Sequence, residues 1–139
     1  MSTLIQCEVV TPERQLYSAD ATFVVLPAAN GEMGIYYKHA PVVTYLNDGC
    51  MRVTGENAEE VTRIAVAGGY AQVDGQKVIV LANRAALLSD VDAAEVDAKL
   101  EQLSAELKEL GDDDVTASFK KNELAWYELL KHQLQVAEA

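Results

Sequence analysis

The chain reads as an α+β protein in two parts, an N-terminal antiparallel β-sandwich over residues 1–88 followed by a C-terminal antiparallel two-helix hairpin over residues 89–139. Three observations predict this. Up to Leu88 the apolar residues come in short runs separated by turn residues, the mark of many short strands packed as a sandwich or barrel. After Ser89 they recur at spacings of four and three, the period of a helix with one buried face. The run Gly111-Asp112-Asp113-Asp114 then breaks that pattern, so two helices joined by a short turn should lie side by side.

Strand-like runs cover Leu4 to Val10, Ala21 to Leu26, Val42 to Leu46, Cys50 to Val53, Val61 to Ala67, Tyr70 to Val73 and Lys77 to Ala82. Asn47-Asp48-Gly49 and Asp74-Gly75 are hairpin signals, because glycine supplies the left-handed torsions of a tight antiparallel connection. Gly68-Gly69, between two strand-like runs, predicts a bend or bulge where the backbone passes close to a neighbour. It is not read as a phosphate loop, since no helix N-terminus follows it. The first helix carries its stripe on Val96, Leu100, Leu103, Leu107 and Leu110, with Ser89 or Asp90 as cap and Gly111 as stop. The second, from Val115 or Thr116 to about Val136, has Phe119, Trp126, Leu129, Leu130 and Leu134 as its apolar members. So short a pair of stripes gains only several kcal/mol at about 25 cal/mol per Å². The hairpin is therefore readable either as a permanent cap or as a switching element.

Net charge is -11, and it is unevenly shared: residues 1–89 carry nine acids against six bases, residues 90–139 thirteen against five. No cluster of Lys and Arg is present to displace counterions, so nucleic acid is excluded as a partner. No stretch approaches the ~18 apolar residues that span a bilayer, so direct membrane insertion is not expected, and neither a secretory signal nor a transit peptide is visible. Cys7 and Cys50 lack metal or CxxC spacing and read as reduced, packed thiols. His132 has no triad-like surroundings, and Glu59-Glu60 and Asp112 to Asp114 read as solvated loops. No catalytic residue, metal site or cofactor is assigned.

The most informative stretch runs from Gly31 to Leu46. It reads as a display loop: two glycines allow positive φ, Pro41 stiffens the exit, and Glu32, Lys38 and His39 are offered to a partner. Its pattern, Gly31-Glu32-Met33-Gly34-Ile35, three further residues and then His39-Ala40-Pro41, resembles the ε subunit of F-type ATP synthases. The Gly-Gly-aromatic bend and the acid-capped hairpin extend the resemblance over essentially the whole chain.

That resemblance implies a ten-stranded sandwich that binds the γ subunit and the c ring as part of the rotor. It also implies a C-terminal hairpin that regulates ATP hydrolysis against the α/β subunits. The protein is then expected to be non-catalytic, to couple proton-driven rotation to ATP synthesis, and to lie peripherally on the cytoplasmic face of a bacterial membrane. Glu32 and His39 are carried over as c-ring contacts, and Lys38 as their neighbour, where the family usually has glycine. His39 reads equally as a residue that holds its own loop through a backbone carbonyl.

Two departures concern the hairpin. Where some bacterial relatives bind ATP through Ile or Leu, Asp, two variable residues, Arg and Ala, this chain has Val91-Asp92-Ala93-Ala94-Glu95-Val96. Glu95 for arginine reverses the sign of any contact with a triphosphate, so no ATP site is expected. Beyond Ala125 the second helix lacks the family's usual cations. Lys120, Lys121, Lys131 and His132 are left to face an acidic partner, and only weak inhibition of hydrolysis is expected. The alternative is a free-standing sandwich that senses a small ligand beneath a helical lid. A rotor subunit should expose an apolar face on the sandwich, whereas a sensor should close its hairpin on a ligand.

Overall fold

The computed structural model describes residues 4–110 and 115–138. It divides into two compact units, one ending at Leu87 and one beginning at Leu88. Among its described residues the first contains eight strands: β1 (Ile5–Val10), β2 (Gln15–Ala21), β3 (Phe23–Ala28), β4 (Gly31–Ile35), β5 (Val42–Tyr45), β6 (Gly49–Thr54), β7 (Val61–Val73) and β8 (Lys77–Leu87). The second contains a short 3₁₀ turn (Leu88–Asp90) and two helices, α1 (Ala93–Glu109) and α2 (Val115–Glu138).

The eight strands form one sheet, ordered β2-β1-β8-β7-β6-β3-β4, with β5 also on β7. It becomes a sandwich because β7 and β8 run through both layers. One layer holds β2, β1, the first half of β8, the second half of β7, and β5; the other holds β4, β3, β6, the first half of β7 and the second half of β8. Each layer thus has five strand segments, which accounts for the ten strands expected from the resemblance.

The fold line is at Gly68-Gly69, with φ of 69° and 109°. A Cβ on Gly69 would stand 2.1 Å from the Leu81 carbonyl oxygen, so only glycine fits. Sidedness reverses there. On β7, Ile64 and Val66 point into the core before the bend and Ala71 and Val73 after it; on β8, Val78, Val80 and Ala82 give way to Ala85 and Leu87. Strands that pass between layers commonly turn the corner through such a bend.

Several sequence expectations need correction. The runs Val61 to Ala67 and Tyr70 to Val73 are one strand of 13 residues. The sheet is not wholly antiparallel, because the first strand closes against the last: β1 pairs in parallel with β8 from Gln6↔Lys77 to Val10↔Leu81. Asp74-Gly75 does make a hairpin, where the Asp74 carboxylate accepts from Gln76 N at 3.0 Å and Lys77 N at 2.8 Å. Asn47-Asp48-Gly49 does not. Its flanking strands pair with different halves of β7, and Asn47 carries the chain between layers by donating from its N–H to the Pro27 carbonyl at 2.8 Å.

In the second unit Val96 and Leu103 of α1 and Ala117, Trp126 and Leu130 of α2 are buried. The cap of α1 is Asp92, whose Oδ1 accepts from Ala94 N at 2.9 Å, in place of Ser89 or Asp90, which lie in or beside the 3₁₀ turn. Phe119 faces solvent at 66 % exposure, contrary to the apolar stripe expected of α2. The turn Gly111 to Asp114 and the stop at Gly111 lie outside the described residues.

Candidate partner interface

The expected display loop is mostly sheet. Gly31–Ile35 is strand β4, paired with β3 from Val24↔Ile35 to Ala28↔Gly31, and Val42–Tyr45 is β5. Of the two glycines, only Gly31 takes positive φ, at 120°. Gly34 is required for another reason: a Cβ there would stand 2.8 Å from the Phe23 ring, which stacks on Tyr36 at 4.3 Å between centroids.

Glu32 accordingly lies on a strand, not in a loop. It is exposed, and its Oε2 accepts from the Arg52 guanidinium at 2.8 Å. Lys38 and His39 sit in the true loop, residues 36–41. Four residue steps of extended chain lead from Glu32 to Tyr36, where that loop begins, roughly 13 Å at 3.3 Å per residue, so the three side chains do not form one cluster.

The loop is held as a turn. His39 N donates to the Tyr36 carbonyl at 3.1 Å, and Lys38 N donates to the Gly75 carbonyl at 2.6 Å, pinning the loop to the β7–β8 hairpin. Lys38 adopts φ of 70°, the left-handed region that favours glycine. Its exposed ammonium stands 5.8 Å from the Tyr37 ring centroid. The half-buried His39 places Nδ1 2.8 Å from its neighbour's carbonyl, that of Ala40, so it steadies the loop while its ring reaches the surface.

A face that the sequence reading missed is more extensive. Tyr45 and Val43 on β5 are 76 % and 65 % exposed, and Tyr70, paired with Tyr45 across β7, is 40 % exposed. The half-buried Leu81 continues the row, because it pairs with Tyr70 on one side and Val10 on the other. The signal was present in Val42-Val43-Thr44-Tyr45-Leu46: an apolar run without alternation marks a strand with both faces apolar. Contiguous apolar surface of this kind marks an interaction site.

In the helical unit the expected regulatory cations are engaged. Lys131 pairs with Asp97 at 3.2 Å and Lys120 with Glu106, both bridging α2 to α1. Lys121 is exposed, as are Asp92 and Glu95 at the start of α1. Lys120, followed by Gln102, hydrogen-bonds the Glu106 carboxylate and holds its pKa below the ordinary value. Burial, with Glu8 adding to it, pushes the Cys7 thiol up to about 12; burial raises Cys50 as well. Both cysteines are free. Among the described residues no group of His, Cys, Asp and Glu could hold a metal, and no helix is long and apolar enough to cross a membrane.

Residues 4–87 match the β-sandwich domain of the ATP synthase Delta/Epsilon chain family. The ATP synthase epsilon chain of Neisseria meningitidis serogroup B is 34% identical over 119 residues, 86% of this chain and 85% of that one. That of Carboxydothermus hydrogenoformans is 42% identical over 102 residues, 73% and 75% of the two chains. Among solved structures, a chain of the Euglena gracilis mitochondrial ATP synthase, OSCP/F1/c-ring in rotational state 1, superposes with a TM-score of 0.75 at 20% identity, covering 96% of this chain and 83% of that one. At that identity the likeness speaks for the fold.

Proposed function

This chain belongs to the ATP synthase epsilon family, and on that premise we propose that it is a non-catalytic subunit of the rotating central stalk, coupling proton-driven c-ring rotation to ATP synthesis. The observation that carries the reading is the passage of β7 and β8 through both layers of the sandwich, with their register unbroken on either side of the fold line. A body that transmits torque must not shear between its layers, and two covalently continuous strands resist that shear. The Tyr45–Tyr70 face supplies an apolar surface for a γ-like shaft, and Lys38 and His39 present polar groups at one end of the sandwich for the polar loops of a c ring. Glu32, held by Arg52, lies near the other end of β4 from that loop and is not part of this contact.

The exposed apolar face favours this assignment over the free-standing ligand sensor, which needs no such surface. Association through γ and the c ring places the protein peripherally on a coupling membrane, its cytoplasmic face in a bacterium. The hairpin restrains ATP hydrolysis only weakly, because Lys120 and Lys131 are occupied within it and few other cations remain on α2. The test is affinity capture of the tagged chain from membranes in mild detergent. The α, β and γ subunits should accompany it; recovery of the chain alone would overturn the proposal.

A further inference from the structure

Of the five asparagines in the chain, Asn30, Asn47, Asn57, Asn83 and Asn122, only Asn30 precedes a glycine. An asparagine loses its side-chain amide when the main-chain nitrogen of the next residue closes a five-membered ring on Cγ. A Cβ on that next residue crowds the ring, and glycine has none. The sequence therefore singles out the Asn30–Gly31 bond, which lies in the turn between β3 and β4.

The folded chain leaves that bond accessible. Asn30 and Gly31 are both exposed, Gly31 takes φ of 120°, and even a Cβ built there would meet nothing within 4 Å. Ala28↔Gly31 is the last pair of the β3–β4 ladder, so a local opening frees the Gly31 N–H without disturbing the rest of the sheet. Among the described residues no side-chain hydrogen bond holds Asn30. The other asparagines are restrained. Asn47 donates to the Ala28 and Ala29 carbonyls at 3.3 and 3.4 Å, and Asn57 accepts from Glu59 N at 3.1 Å. Asn83 lies within β8 and Asn122 within α2, where regular backbone pairing fixes the following N–H.

We propose that Asn30 is a site of spontaneous deamidation, a modification that needs only water. Gly31 N loses its proton to solvent base and bonds to Asn30 Cγ, while the side-chain nitrogen takes up a proton and leaves as ammonia. Water then opens the cyclic imide. Cleavage of the new Cγ–N bond yields aspartate; cleavage between that nitrogen and the Asn30 main-chain carbonyl carbon yields isoaspartate, whose main chain is one atom longer. Either product adds a negative charge to an acidic chain, two residues from Glu32. The isoaspartyl product also lengthens a turn stitched to β5, since Ala29 N donates to the Tyr45 carbonyl at 3.0 Å. The modification thus reaches the strand that carries the exposed apolar face.

The test is peptide mapping of the full-length protein aged in mildly alkaline buffer. Position 30 should convert roughly tenfold or more faster than any other asparagine, with ammonia released in step and isoaspartate accepting methyl groups from an isoaspartate methyltransferase. The rate should rise with pH, because the attacking nitrogen must first lose its proton. Asn30→Gln, which has to close a larger ring, should stay intact. In the purified isoaspartyl form the Ala29 amide should exchange faster than in the parent. Conversion no faster than at Asn47, conversion confined to urea-unfolded chains, a rate indifferent to pH, or an Ala29 amide that exchanges as before would each overturn the proposal. No partner subunit enters the assay, so its failure is distinct from failure of the rotor assignment.

Discussion

Gly69 backs so closely onto Leu81 that a Cβ on the glycine would lie 2.1 Å from the leucine carbonyl oxygen and 2.8 Å from the Ala82 Cα. Both obstacles are backbone, on the strand that must stay paired. Gly69→Ala also forces a side chain to φ of 109°. The expected loss is about 3 kcal/mol or more of sandwich stability, combining strain with overpacking. Urea unfolding of the full chain checks it, and a loss below ~1 kcal/mol would show that the fold line can relax.

Tyr45 and Tyr70 call for the opposite outcome. As exposed residues, their replacement should leave stability within about 0.5 kcal/mol. As centres of an apolar interface, they should carry much of the affinity. Tyr45→Ser is therefore expected to melt like the parent while its recovery with the γ subunit falls roughly tenfold, the equivalent of ~1.4 kcal/mol.

What the sequence made legible divides along the same lines. Val61 to Ala67 and Lys77 to Ala82 announce strands by their own residues. That β7 continues through Gly68-Gly69 is not announced, because glycine pairs more often end strands, and here the partner backbone at Leu81 gives the reason for them. Gly31–Ile35 was misread because Gly34 signals a turn in isolation, whereas it makes room for Phe23, eleven residues earlier. Glu32 moved from loop to strand for that same reason. Gln15–Ala21 was missed as an edge strand in which only Leu16 and Tyr17 pack against the core beside the buried Ala21. Within the hairpin, helical period revealed the stripes but not the cross-helix pairs of Lys120 and Lys131.

The Lys120–Glu106 pair makes the hairpin sensitive to acid. The Glu106 carboxyl, hydrogen-bonded by Lys120 and by Gln102 at 3.0 Å, titrates below its ordinary value. A carboxylate with a depressed folded pKa adds stability above its unfolded pKa of ~4.3 and loses it as pH falls through the lower folded value. Amide exchange in α1 and α2 should therefore be slower in the parent than in Glu106→Gln near neutrality. The gap should close as pH drops below about 4. A gap that does not change with pH would assign the protection to packing alone.

Removing residues 90–139 tests how far the hairpin restrains the motor. Lys131 is held by Asp97 and Lys120 by Glu106, so neither cation can meet a partner's acidic surface without first giving up its own pair. Each such exchange nearly cancels, since one ion pair at the surface is traded for another. ATP hydrolysis by the complex should accordingly rise less than about tenfold on deletion. A larger rise would mean that α2 engages the motor through other residues, Lys121 or the exposed Phe119 among them.

Lys38 offers the most direct test of the loop. It holds φ of 70° in a turn closed by the His39–Tyr36 and Lys38–Gly75 backbone hydrogen bonds, a conformation that costs a side-chain-bearing residue about 1 kcal/mol relative to glycine. Lys38→Gly should relieve that cost, offset in part by the greater freedom of glycine in the unfolded chain, and raise stability by up to ~0.5 kcal/mol. If the ammonium serves the c ring, the same variant should be recovered with less c subunit and couple proton flow to synthesis less well, despite being the more stable protein. Strain held at a surface turn against the interest of stability is the signature of a contacting residue. Greater stability with full recovery of the c subunit would reduce Lys38 to a solvated side chain and leave the loop's contact to His39 alone.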